Sequence, residues 1–116
     1  MLEKPVFLQG TCSFRGHGFD APTLVAGIQY TVPEASTAKL VYFRAGQSSE
    51  ELITLNLERD GQTKRLYPLG MTSSMHYTLA ITEEMRPGSK LELKLAAPKG
   101  VEGTLFVDLG VVETQK

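Results

Sequence analysis

The sequence has no tryptophan, one cysteine, two histidines and no run of like charge beyond short pairs such as Glu50-Glu51 and Glu83-Glu84. Each scarcity excludes something. Cys12, alone, cannot close an intramolecular disulfide, which fits a reducing compartment. It also rules out the paired-cysteine spacing of a closed zinc site. A formal net charge of −1 with scattered Lys and Arg gives no clustered basic surface, so no nucleic-acid partner is expected. No apolar run is long enough to span a bilayer, and Met1-Leu2-Glu3-Lys4-Pro5 lacks the apolar core of a signal peptide. The expectation is a cytoplasmic protein with no membrane partner. Helical spacing of apolar residues is missing too, as are internal repeats and low-complexity tracts.

What remains is one domain, residues 1–116, with 41% hydrophobic and 22% charged residues, the proportions of an ordinary globular chain. It alternates in short stretches. Pro5–Leu8 opens as a short strand, and Cys12–Arg15 can pair as another short piece before Gly16-His17-Gly18 turns. Over Thr23–Val32, Leu24, Ala26, Ile28, Tyr30 and Val32 share one face. Ala38–Ala45 is partly apolar on both faces, with Val41 and Phe43 on one and Leu40, Tyr42 and Arg44 on the other, as in a central strand. Leu52–Glu58 turns Ile53, Leu55 and Leu57 inward. Asp60-Gly61 then suits a type I′ hairpin, since both central residues need positive φ. Folding back around it sets Leu66 opposite Leu55 and Arg65 opposite Asn56, with Lys64 opposite Leu57 as the one awkward pair. Met75, Tyr77, Leu79 and Ile81 face inward on the next strand. Arg86-Pro87-Gly88-Ser89 has the form of a type II turn. Leu91, Leu93 and Leu95, then Leu105, Val107, Leu109 and Val111, give the last two inward faces. About eight strands with regular turn signals predict an all-β fold: a single-domain antiparallel β-sandwich, jelly-roll-like, with no substantial helix.

The densest set of chemically capable side chains lies in Gly10–Pro22, which holds Cys12, Arg15, His17 and Asp20. A thiol activated by imidazole is a nucleophile, so Cys12 and His17, oriented by Asp20 or Asp108, define one enzymatic possibility. No motif surrounds Cys12, however, and a small buried hydrophobe accounts for it equally well. Gly10, Gly16 and Gly18 lack the strand–loop–helix setting of a phosphate loop, and read as a corner between strands. Cys12, His17, His76 and the methionines match no metal-site spacing. No catalytic residue, metal or cofactor is therefore assigned. Asp108 stands out: a carboxylate in the middle of an apolar strand must find a partner or water, and Arg44 and Arg65 are candidates.

Outward positions suggest a mixed aromatic and hydrogen-bonding face made of Tyr42, Arg44, Asn56, Arg65, Tyr67, His76 and Asp108. Such a face suits a small ligand or glycan, or another protein, including a second copy, since Tyr and Arg favour interfaces. The last stretch, Gly103-Thr104-Leu105-Phe106-Val107-Asp108-Leu109-Gly110-Val111-Val112-Glu113, resembles the closing strand of jelly-roll carbohydrate-binding modules. That likeness is a strand pattern over about a tenth of the chain and assigns no family. The first expectation is a non-enzymatic binding or self-association module, forming a homo-oligomer through Phe106, Val112 and the two-sided strand Ala38–Ala45. The second is a carbohydrate- or ligand-binding module using Tyr42, Arg44, Tyr67 and His76. The third is a Cys/His enzyme.

Overall fold

Alternating apolar residues can be buried only if two sheets turn their apolar faces toward each other, and the chain does this with eight strands. The computed structural model describes residues 2–115. Its strands are β1 (Leu2–Arg15), β2 (Thr23–Thr31), β3 (Ser36–Gln47), β4 (Ile53–Arg59), β5 (Gln62–Leu69), β6 (Ser74–Met85), β7 (Lys90–Ala96) and β8 (Glu102–Gln115). No helix occurs among the described residues. One sheet has the order β1-β8-β3-β6 and the other β2-β7-β4-β5, and every strand pair is antiparallel. The first strand lies beside the last and, apart from the β4–β5 hairpin, successive strands alternate between the sheets, the double Greek key of a jelly roll. The expected all-β sandwich is what forms.

The interior is leucine-rich. Leu40, Phe43, Leu105 and Leu109 from one sheet meet Ile53, Leu55, Leu57, Leu91 and Leu93 from the other, all essentially without solvent contact. β4, β7 and β8 alternate as their sequences demand. Val6, Leu8, Cys12 and Phe14 of β1 pack against this core while remaining half-buried.

Three departures from period 2 correct the sequence-based faces, and each is a bulge. In β5, Lys64 is the extra residue: Glu58 pairs with Thr63, but Leu57 pairs with Arg65. The awkward Lys64–Leu57 pair is thus avoided, and all later partners move by one. Tyr67, not Leu66, lies opposite Leu55, and Leu66 lies opposite Asn56, exposed on the outer surface. In β2 the register shifts between Leu24 and Gln29 around Gly27, whose φ is 81°. Val25 and Ile28 are therefore buried while Leu24 and Ala26 face out. In β3 the shift falls between Leu40 and Tyr42, so Leu40 and Phe43 both point inward. β6 runs from Thr78 to Glu83 opposite this break, with Leu79 buried in the core but Ile81 76% exposed where an inward residue was expected.

The turn chemistry follows the sequence. Asp60 and Gly61 have φ of 53° and 81°, as a type I′ hairpin requires. Ser89 N–H donates to the Arg86 carbonyl at 3.0 Å with Gly88 at φ 82°, a type II turn. Gln47 is a buried staple. Its Nε2 donates to the carbonyls of Glu51 (2.7 Å) and Gly70 (2.8 Å), and its Oε1 accepts from Ser49 N and Oγ. Polar ties also cross between the sheets. Glu83 of β6 binds Arg59 of β4 at 2.6 Å and Arg65 of β5 at 3.6 Å, and Tyr30 of β2 donates its hydroxyl to Glu113 of β8.

Of the glycine-rich stretch expected as a corner, Gly10–Arg15 instead continues β1 unbroken; only from Gly16 on does the chain form a corner, laid against the turn between β7 and β8. Gly16 donates to the Val101 carbonyl at 2.7 Å and accepts from Gly100 N–H at 2.9 Å, while Gly18 donates to the Ala97 carbonyl at 2.8 Å. A Cβ on Gly16 would lie 2.1 Å from the Pro98 carbonyl oxygen and 2.7 Å from that of Ala97. Backbone cannot move aside as a side chain can. Gly16→Ala is expected to destabilise the fold by about 1–3 kcal/mol, as other overpacking changes do. Gly10→Ala, whose Cβ would sit 3.4 Å from Ile28 Cδ1, is expected to cost clearly less. Urea unfolding of the two variants measures the difference.

Candidate functional site

Strand pairing assembles a row of polar side chains across the outer face of the β1-β8-β3-β6 sheet. Gln9 of β1 pairs with Asp108 of β8, Asp108 with Arg44 of β3, and Arg44 with His76 of β6. The row on one side holds Phe7, Gly110, Tyr42 and Thr78, and the row on the other Thr11, Phe106, Gly46 and Ser74. Directly opposed residues on one face are close enough to interact, so the site is a polar strip between two aromatic borders. Phe7 is 56% and Phe106 51% exposed.

Asp108 is the centre of this strip. Its Oδ1 accepts from the Tyr42 hydroxyl at 2.9 Å and from Gln9 Nε2 at 3.1 Å. Its Oδ2 faces Arg44 Nη1 at 3.6 Å, a looser contact that leaves lone-pair capacity for a ligand donor. The carboxylate thus finds the partners its apolar strand lacks. The Tyr42 ring lies over Gly110: a Cβ there would meet ring carbons at 2.0 and 2.3 Å. His76 stands edge-on to Tyr42 with ring centroids 6.1 Å apart. Partial burial, then the bond to Asp108 and its negative charge, raise the Tyr42 pKa, against a smaller opposing effect of Arg44. An open depression of about 610 Å³ runs beside the strip, lined by Gln9, Thr11, Arg44, His76, Phe106 and Asp108. That falls in the range of small-ligand sites, roughly 300–1,000 Å³.

Of the face expected from sequence, Tyr42, Arg44, His76 and Asp108 come together. Asn56, Arg65 and Tyr67 do not. Asn56 lies on the outer face of the opposite sheet, between Lys94 and Leu66, with its Oδ1 buried and without a hydrogen-bond partner among the described residues. The Lys64 bulge turns Arg65 and Tyr67 toward the seam between the sheets. There Arg65 donates to the Ile81 carbonyl at 2.7 Å. Tyr67 stacks on Phe43 at 4.3 Å and on Tyr77 at 5.9 Å, and burial raises its pKa, with Arg65 opposing. Cys12 sits on the inner side of β1 against the core, whereas His17 and Asp20 are exposed on the corner. Arg15 ends β1 on the outer side, 4.0 Å from Glu102. Gln9, Phe7 and Gly110 escaped the sequence-based selection. Alternation outward from the inward Val6 and Leu8 points to Gln9 and Phe7, but only once β1 is known to continue through Gly10.

No protein-family pattern and no curated protein sequence matches this chain. Solved structures do resemble it. The CBM36-1 domain of a multidomain xylanase from the hindgut metagenome of Trinervitermes trinervoides aligns over 97% of this chain and 99% of its own, with a TM-score of 0.57 and 16% identity. A chain of the infectious bursal disease virus Gt strain aligns over 97% of this chain and 33% of its own, with a TM-score of 0.54 and 9% identity. A chain of Bacillus endospore appendages, described as disulfide-linked pili, aligns over 100% and 93%, with a TM-score of 0.52 and 9% identity. At these identities the likeness is one of fold.

The Tyr42–Asp108 bond has a pH signature. A phenol with a raised pKa keeps its proton beyond the usual value of 10.0. Its contribution to stability is complete below that pH and is lost as pH climbs through the folded-state pKa. Ultraviolet titration of the four tyrosines is expected to show Tyr42, identified by its loss in Tyr42→Phe, ionising late. In Asp108→Asn it is expected to ionise earlier, with burial retaining part of the delay.

Proposed function

We propose that this chain is a non-catalytic binding module that holds a carbohydrate on the outer face of the β1-β8-β3-β6 sheet. The observation that carries the proposal is the row Gln9–Asp108–Arg44–His76 bordered by Phe7 and Tyr42 on one side and Phe106 on the other. A sugar ring has an apolar C–H face and a rim of hydroxyls, and this strip offers a match for each. Exposed aromatic rings supply flat apolar surface. Asp108 Oδ2 accepts from hydroxyls, Arg44 donates to hydroxyl oxygens in a fork, and the Gln9 amide can do both. The strip is pre-organised by its own hydrogen bonds, which lowers the ordering cost of binding. Further support comes from the shared fold of the CBM36-1 domain. The enzymatic alternative has less in its favour, because Cys12 faces the core while His17 and Asp20 lie exposed on the corner.

Titration calorimetry against soluble xylan and a panel of β-linked oligosaccharides tests the proposal. Arg44→Ala and Phe106→Ala are each expected to weaken binding about tenfold or more, about 1.4 kcal/mol. Leu24→Ala, on the opposite sheet, is expected to leave binding unchanged. Absence of binding across the panel, or equal loss in Leu24→Ala, would exclude this face as a carbohydrate site.

A further inference from the structure

A sheet edge presents unpaired N–H and C=O groups, and natural sheets interrupt such edges with bulges, prolines or charges. The four edge strands here are β1, β6, β2 and β5. β2 is irregular between Leu24 and Gln29, β5 carries the Lys64 bulge and Pro68, and β6 loses register opposite the break in β3. β1 carries Pro5 near its start but no bulge: all fourteen residues pair with β8 without a shift, and Val6–Arg15 contains no proline.

The direction of its backbone groups can be read from the ladder's end. Gly16 N–H donates to the Val101 carbonyl, continuing the β1–β8 register, so even-numbered residues of β1 turn their backbone groups to β8. In an antiparallel ladder the alternate residues turn away. The N–H and C=O groups of Glu3, Phe7, Gln9, Thr11, Ser13 and Arg15 therefore face the open edge. Pro5 also belongs to this odd set, where its missing N–H costs the β8 ladder nothing.

We propose that this edge pairs with β1 of a second copy, antiparallel, about a two-fold axis at Gln9. Keeping interior against interior requires odd residues opposite odd and even opposite even. Centring on Gln9 sets Glu3 opposite Arg15 of the second copy at both ends of the outer face. In the interior it sets Val6 opposite Cys12 and Leu8 opposite Gly10. Moving the centre to Leu8 puts Glu3 against Ser13, and moving it to Gly10 puts Arg15 against Pro5, so only the Gln9 register pairs the opposite charges. All hydrogen-bonded pairs exchange both bonds except those that contain Pro5. The arrangement is self-complementary, as a two-fold interface must be, and it covers the half-buried Val6, Leu8, Cys12 and Phe14. Two polar strips then join end to end through Gln9.

Residues on the axis in a hydrogen-bonded antiparallel pair have Cα atoms about 5.5 Å apart, inside the disulfide range. In a Cys12→Ser chain, Gln9→Cys is expected to oxidise to a covalent dimer at least about tenfold faster than Thr78→Cys on the opposite edge, because proximity raises effective concentration. The unmodified chain is expected to run as a dimer in light scattering. Thr11→Pro, which removes an N–H that serves only the open edge, is expected to run as a monomer with its melting temperature changed by only a few degrees. The proposal is overturned by an unmodified chain that stays monomeric up to about 1 mM, a concentration that corresponds to negligible affinity. Equal cross-linking rates at positions 9 and 78, or a folded Thr11→Pro that remains dimeric, overturn it as well.

Discussion

Everything in this molecule depends on one packing constraint: each sheet can desolvate its apolar face only against the other. Leu40, Phe43 and Leu109 on one side and Leu55, Leu57 and Leu93 on the other are buried completely. Each such side chain contributes about 1.5–3 kcal/mol by leaving water, against an ordering cost of roughly 1–2 kcal/mol per residue. The inward positions are therefore the ones with least freedom. Because side chains alternate along a strand, fixing them also fixes which residues look outward, and the polar strip is an outward consequence of inward packing.

The bulges show how that constraint is met where the sequence does not alternate. Lys64 would face inward beside Leu57 if β5 kept period 2; dropping it from the ladder puts Arg65 there instead, whose guanidinium finds the partners a charge at the seam needs in Glu83 and the Ile81 carbonyl, at the cost of a local break in pairing. Val41 does the same for two neighbouring large residues, letting Leu40 and Phe43 both point in. Gly27, at a φ few other residues adopt, gives β2 its turn. These insertions are also where reading the strands from sequence loses its way. β4, β7, β8 and the turns at Asp60-Gly61 and Arg86–Ser89 were legible because their chemistry is local. The faces of β2, β5 and β6 were not, because a bulge is chosen by the partner strand as much as by the strand that carries it.

The candidate site was legible to a similar extent. Alternation was enough to put Tyr42, Arg44 and Asp108 outward, and Asp108 drew notice as a charge in an apolar strand. What alternation cannot say is which strands are neighbours. The strip exists because β3 lies between β8 and β6, and β8 between β3 and β1, pairings that join residues as distant as Gln9 and Asp108. Asn56, Arg65 and Tyr67 have suitable chemistry but sit on the other sheet, and no local pattern separates them from the rest. Gln9, in a stretch broken by Gly10, becomes visible only when the whole of β1 is seen to pair.

Tyr42 and Gly110 share one volume. The ring occupies the space that any side chain at position 110 would need, so the two positions cannot vary independently. A larger residue at 110 is compatible only with a smaller one at 42, and with the ring would go the hydroxyl that anchors Asp108. Among divergent relatives of this chain, the bare glycine and the phenol should be kept or lost as a pair, and a change at 110 would mark a protein whose strip is organised around something else.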